Sequence, residues 1–282
     1  MPIESRRVSS NGRGWGLVRF WRSVGRSVKL AALFAYAALE LIAKRPVTRA
    51  QRAEWLHRFC VCLLRGMGFA TRVVGSFPQS GVVVSNHLGY LDIIAFAAAH
   101  RCVFVSKAEL AHLPLLGWMT TMSGTVYVER GKGGSALRAR GGMQAAADEG
   151  VPVVFFPEGT TTDGSAVLKF HSGLLAQAIQ AGQPVTAAHV RYRLTQANGS
   201  GITIPSHVSY WDDTPLFKHI FRLLAVRGIE VELRIAASPI AFSAPDNRKL
   251  AAAETRAAVM ELRNASETER VVPSKRFVRG VA

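Results

Sequence analysis

The chain has 282 residues, enough for one α/β domain with a full core and a small appendage. Hydrophobic residues make up 49% of it and mean hydropathy is +0.15, while 35 Lys and Arg against 19 Asp and Glu give a formal charge of +16. A chain both basic and apolar points to a membrane surface ahead of nucleic acid, and Cys60, Cys62 and Cys102 lack the spacing of a zinc site or a disulfide framework.

The charge gathers at the start: residues 1–72 hold fourteen basic and three acidic side chains, +11 of the +16. An anionic leaflet attracts such a segment by about 1 kcal/mol per basic residue at its surface. A solvated basic face is the alternative. To about Gly25 the sequence is Arg, Ser and Gly with Trp15, Phe20 and Trp21 interleaved, which reads as a flexible or interfacial arm. Leu30 to Ala43 reads as an apolar helix closed by Lys44-Arg45-Pro46. It is shorter than the ~20 residues that cross a bilayer, and no small-residue cleavage site marks it as a removed signal peptide. Arg49 to Met67 reads as an amphipathic helix with Trp55, Leu56, Phe59, Cys60, Leu63 and Met67 on one face. The pair predicts either an anchor lying in one leaflet's interface or a helical hairpin capping the core.

From residue 71 strands and helices alternate, which predicts an α/β fold: a mostly parallel central sheet flanked by helices, behind an N-terminal amphipathic pair. The domains expected are 1–70, the basic arm and interfacial helices; 71–265, the α/β domain; and 266–282, a disordered basic tail. Strands are expected at about 71–75, 81–85, 102–106, 125–128, 152–156, 184–192, 202–210 and 229–236, and helices at about 91–99, 115–122, 135–149, 173–181, 214–226 and 246–265. Thr214 reads as the N-cap of one helix, with Pro215 at its first position.

Gly81 to Ser85 is a buried strand by its Val82-Val83-Val84 core, so His87 falls at the strand exit and Asp92 near the first turn of the next helix. A short carboxylate there reaches back to one imidazole nitrogen, fixes the tautomer and leaves the other nitrogen to take a proton from a hydroxyl. No serine nucleophile is required if that hydroxyl belongs to a substrate. A hydrogen-bonded loop histidine is the plainer alternative. Lys107 and Glu158 also follow strands, at the edge where open α/β sheets place ligands. Glu158 sits on a turn that Pro157 and Gly159 shape, where it either reaches a substrate hydroxyl or only caps the turn.

Ser85-Asn86-His87-Leu88-Gly89-Tyr90-Leu91-Asp92, Ser106-Lys107-Ala108-Glu109-Leu110, Gly124-Thr125-Val126-Tyr127-Val128-Glu129-Arg130 and Phe155-Phe156-Pro157-Glu158-Gly159-Thr160, in this order and at these separations, resemble the glycerolipid acyltransferase family, over about residues 71–239. The resemblance implies a membrane-associated O-acyltransferase with His87 as base and Asp92 orienting it. Asn86, Lys107, Arg130, Glu158, Gly159 and Thr160 would bind substrate, Lys107 and Arg130 as cations for a phosphate and the Gly159-Thr160 backbone as a source of oxyanion donors. Leu113-Pro114-Leu115-Leu116-Gly117-Trp118 would wall an acyl-chain pocket or form a plain core turn. No metal or bound cofactor is implied; acyl-CoA or acyl-ACP is a cosubstrate. The acceptor implied first is 1-acyl-sn-glycerol-3-phosphate, giving phosphatidic acid. The partners are then a lysolipid, an acyl thioester, possible acyl carrier protein and an anionic membrane at the cytoplasmic face of the cell membrane, with no nucleic acid. Two departures bear on the acceptor. Thr161-Thr162-Asp163-Gly164 stands where the family commonly has Arg-Ser, and Ala187 stands at about the place of a second proline. The first variant resembles a branch that acylates lyso-ornithine lipids, the alternative acceptor. A non-catalytic protein that binds anionic membranes is the rival from another class.

Overall fold

Val82, Val83 and Val84 lie fully buried at the centre of the molecule, where a β-branched run without polar alternation is most stable. The computed structural model, which describes residues 11–108, 117, 120–121, 123–128 and 135–268, makes them strand β2 (Val82–Val84) of a seven-stranded sheet. The other strands are β1 (Ala70–Val74), β3 (Val103–Lys107), β4 (Val126–Val128), β5 (Val153–Phe155), β6 (Val185–Leu194) and β7 (Ile229–Ile235). Their order is β1-β7-β6-β2-β5-β3-β4, and only the β6–β7 pairing is antiparallel. The mostly parallel sheet read from the sequence is therefore present. Val84 pairs with Phe155 on one side and Ala187 on the other, so β2 and β5 end level and the loops after them share one edge.

Helices cover both faces. Val83 faces a cluster that includes α2 (Arg49–Met67), α3 (Tyr90–Ala99) and a helix over 216–225, while Val82 and Val84 face α4 (Ser135–Asp148), α5 (Ser172–Gln180) and a C-terminal helix over 248–268. This is the two-residue period of a strand buried on both sides. α2 starts at Thr48 with a reciprocal Thr48–Gln51 capping box and stops at Gly68, whose φ of 71° closes the last turn.

Two segments depart from the sequence reading. The expected arm and the short helix after it form one helix, α1 (Asn11–Lys44), of 34 residues and about 51 Å. Its arginines hold it in place rather than keep it apart: Arg22 Nη1 donates to Ala225 O at 2.8 Å, Ser23 Oγ to Phe221 O at 2.7 Å, and Arg26 Nη1 to Leu224 O at 3.0 Å. The Leu224 and Ala225 carbonyls close the helix over 216–225, where cations offset the helix dipole and satisfy groups that have no partner within the helix. Part of the N-terminal charge is thus engaged inside the fold. The second departure is at 202–210. Its apolar alternation suggested a strand, but Thr203 caps a single turn, α6 (Ile204–His207), because Pro205 cannot donate to a sheet and fits a helix start. α7 (Leu216–Ala225) is capped by Pro215 rather than Thr214, and α8 (Arg248–Thr268) completes the chain described. Most of the expected 115–122 helix, the 113–118 segment apart from Gly117, and the tail beyond 268 lie outside the described residues.

Both apolar sides of the N-terminal pair can be traced. Ala53, Trp55, Cys60, Leu63, Leu64 and Met67 of α2 are buried against α1, α3 and neighbouring elements. The large apolar side chains left exposed on the pair belong to α1.

At the entry to β2, Gly81 has a φ of 88°, and a Cβ there would lie 2.6 Å from Pro184 Cγ. Gly81→Ala is expected to cost about 1–3 kcal/mol from backbone strain alone, seen as a lower urea midpoint with an unchanged slope.

Candidate active site

The loop from β2 to α3 builds the site around one carboxylate. Asp92 lies in the first turn of α3 and has no exposed surface. Its Oδ2 accepts from the amides of Leu88 at 2.6 Å and Gly89 at 3.0 Å, and from His87 Nδ1 at 2.7 Å. Its Oδ1 accepts from the Tyr192 hydroxyl, carried 100 residues away on β6. Four donors compensate a buried charge that would otherwise be prohibitive. Burial and then the Asp92 charge push the Tyr192 phenol well above its usual pKa, so it stays a donor. Nδ1 therefore carries the imidazole proton, and Nε2 has no hydrogen-bond partner among the described residues.

The ring is held in two further ways. Phe156, the residue after β5, stacks on it with centroids 4.0 Å apart and planes at 6°. The His87 carbonyl accepts from Thr162 N at 2.9 Å and from Thr162 Oγ1 at 3.3 Å, and the His87 amide donates to Glu158 Oε1 at 3.3 Å. Gly89 permits the next contact: a Cβ there would come within 3.0 Å of Tyr210 N, which donates to Leu88 O at 2.8 Å.

The other sequence-predicted residues fall as follows. Asn86 is buried, and its amide pairs with Val190 in both directions, Nδ2 to O at 3.0 Å and N to Oδ1 at 2.9 Å, extending the β2–β6 contact past the end of β2. This is a pin in the fold rather than a free donor for substrate. Glu158 is only 3% exposed, and its Oε2 has no partner among the described residues. Burial raises its pKa to about 7 against the pull of the Leu168 and His87 amides. Gly159 turns with φ 72°, but its amide, expected as an oxyanion donor, bonds Phe156 O at 3.3 Å. Thr160 is exposed beside it. Lys107 ends β3, paired with Val128 of β4, at the same edge of the sheet. Arg130 lies outside the described residues. Tyr192, Phe156 and Thr162 complete the site; Phe156 and Thr162 lie in or beside a quoted motif without being singled out by it, and Tyr192, on a strand, reads locally as core.

Beside Asn86 and Leu88 opens a cavity of about 590 Å³ with both signs of charge on its wall: Arg191 and Arg263, Asp163 and Glu267. His189 also lines it, buried with Nδ1 unpartnered among the described residues. Burial, then Arg263 and Arg191, lower its pKa to about 4, so it is neutral. Among the described residues no group of three or more His, Cys, Asp or Glu is arranged to hold a metal ion.

An α/β sheet that presents an Asp-oriented histidine at the C-terminal end of a central strand defines a general-base enzyme able to activate a hydroxyl from outside the chain. The comparisons give that class its family. A model described as Acyltransferase matches residues 71–191. The chain is 32% identical over 198 residues to a lyso-ornithine lipid O-acyltransferase of Pseudomonas aeruginosa, covering 70% of this chain and 72% of that one. It is also 32% identical over 250 residues to the enzyme of the same description from Rhodobacter capsulatus, covering 82% and 84%. A 1-acyl-sn-glycerol-3-phosphate acyltransferase of Neisseria gonorrhoeae is 29% identical over 156 residues, 55% of this chain and 59% of that one. The chain belongs to the acyltransferase family and is an enzyme. The crystal structure of a 1-acyl-sn-glycerophosphate acyltransferase from Thermotoga maritima shares the fold, with a TM-score of 0.64 at 17% identity over 92% of this chain and 98% of that one.

Two sets of variants test the site. Asp92→Asn is expected to lower kcat by ~10²–10⁴-fold, the range of a positioned base. Tyr192→Phe should lower it about tenfold while costing about 1–3 kcal/mol of stability, the range for leaving a buried acceptor short of a donor; an unchanged kcat would remove Tyr192 from the site. Glu158 titrates higher in the fold than the 4.5 of a free carboxyl, so its stabilising effect is full at low pH and fades as pH rises through about 7. Glu158→Gln should therefore gain stability relative to the parent between about pH 4.5 and 7, and hold that gain above, in urea melts across pH.

Proposed function

We propose that this enzyme moves a fatty acyl group from a thioester of coenzyme A or acyl carrier protein to the free hydroxyl of a lysolipid at a membrane surface. The observation that carries the reading is the 2.7 Å contact of His87 Nδ1 with Asp92 in a member of the acyltransferase family. His87 Nε2 takes the hydroxyl proton as the oxygen attacks the thioester carbonyl. Asp92 stabilises the imidazolium that forms. Collapse of the tetrahedral intermediate breaks the C–S bond and expels the thiolate, which takes from His87 the proton that came from the acceptor hydroxyl. The Gly159 amide is already bonded to Phe156 O. Among the described residues no helix is long and apolar enough to cross a membrane; on this reading the enzyme attaches to one face, the cytoplasmic one, where acyl thioesters are supplied.

For the acceptor, lyso-ornithine lipid is the favoured reading. Two relatives with that description align over 70% and 82% of the chain, and Thr161 stands where a phosphate-binding Arg is common. The cavity beside Leu88 supports it: a headgroup with both an ammonium and a carboxylate finds partners of both signs there. The Neisseria relative and Lys107 at the end of β3 favour lysophosphatidic acid as the second reading.

The test offers labelled acyl thioester to the purified protein in detergent with each acceptor side by side. Transfer to lyso-ornithine lipid, reduced at least 10²-fold in His87→Ala, is expected. Transfer to lysophosphatidic acid alone would reverse the choice of acceptor, and His87-independent transfer would sink the mechanism.

A further inference from the structure

Phe217 of α7 is 86% exposed, and Phe221, one turn on, is 37% exposed. Their side of the helix meets α1, where Leu17, Phe20 and Trp21 are 62%, 49% and 63% exposed. The patch is continuous: the Phe20 ring lies 5.9 Å from Phe221 and 5.6 Å from Trp21. From Trp21 the exposed apolar row runs on along α1 through Val28, Leu39 and Ile42, positions that share one side of a 3.6-residue helix.

We propose that α7 is a second lipid-inserting element, locked against α1 so that Phe217 and Phe221 enter the same anionic leaflet as the α1 row. Two observations favour a bilayer over a protein partner. The apolar surface is a long row along a helix, and exposed patches of this kind mark association sites. Lys218 and Arg222 directly follow Phe217 and Phe221 on α7, the pairing of aromatic anchors and cations that suits a headgroup layer. The patch is also bonded to the catalytic loop. His219 Nδ1 of α7 meets the Tyr90 hydroxyl at 2.9 Å, and Tyr210, just ahead of α7, holds Leu88 O. Insertion of α7 therefore fixes the depth of the His87 loop relative to the leaflet, where a single-chain lipid resides. The proposal rests on the lipid-surface part of the proposed function and adds the second point of contact.

Co-sedimentation of the full chain with vesicles of phosphatidylcholine and phosphatidylglycerol, compared with phosphatidylcholine alone, tests it. The wild type is expected to bind the anionic vesicles, and Phe217→Ser/Phe221→Ser to bind them at least tenfold more weakly, with acyl transfer to a detergent-dispersed lysolipid unchanged. Phe217→Lys, at the more exposed of the two rings, provides the same reading should the double variant fold poorly. Vesicle binding by both variants equal to that of the wild type would overturn the proposal. So would a wild type that self-associates in solution and ignores vesicles, since the patch would then be a protein interface. Vesicle binding lost in the variants supports α7 insertion even if no lysolipid is acylated, so failure of the catalytic reading stays separable.

Discussion

The Asp92 carboxylate, at zero exposure, is the interaction on which the site depends. A buried negative charge persists only if donors surround it, and each donor ties down a different part of the chain. The Leu88 and Gly89 amides fix the loop, His87 is held in one tautomer, and Tyr192 brings in β6. Removing the charge would leave these donors facing an empty partner, so the loop geometry and the chemistry share one origin. The outer ring of contacts works on the backbone: Glu158 takes the His87 amide, Thr162 gives to its carbonyl, and Asn86 pairs with Val190.

A second buried carboxylate does structural work on the far side of the sheet. Burial alone would raise the pKa of Glu232, but the Ser266 hydroxyl and the guanidiniums of Arg234 and Arg193 outweigh it and hold the group below its ordinary value. Glu232 Oε1 accepts from Arg234 at 2.9 Å and Ser266 at 2.7 Å, which joins β7 to α8. Such a network specifies which elements meet more than it adds to stability, because desolvation offsets most of the Coulombic gain.

How much of this was readable depended on whether the cause was local. The valine run of β2, the five-residue spacing of His87 and Asp92 and the bounds of α2 at Arg49 and Met67 are decided within a few residues, and each stands in the structure where the sequence put it. Tyr192 was not readable as a site residue, because a tyrosine alternating in a strand looks like core and its partner is 100 positions away. Thr162 looked only like a replacement for the Ser of the motif, yet its hydroxyl and amide both hold the His87 carbonyl. α1 was misread for the same reason: Gly and Arg argue against a long helix locally, and the carbonyls that reward those arginines lie about 200 residues later.

That separation has a consequence for how the protein is made. The α1 residues Arg22, Ser23 and Arg26 bond to groups 198 to 203 positions downstream. At ordinary rates of synthesis α1 emerges roughly 10–40 s before α7 exists. During that interval its inner row of arginines has no helix end to cap and its outer row has no neighbour, so a nascent chain displays a bare amphipathic helix before the catalytic domain is complete. On the proposed membrane reading, delivery to a lipid surface would precede folding, and the enzyme would close onto a helix already seated there.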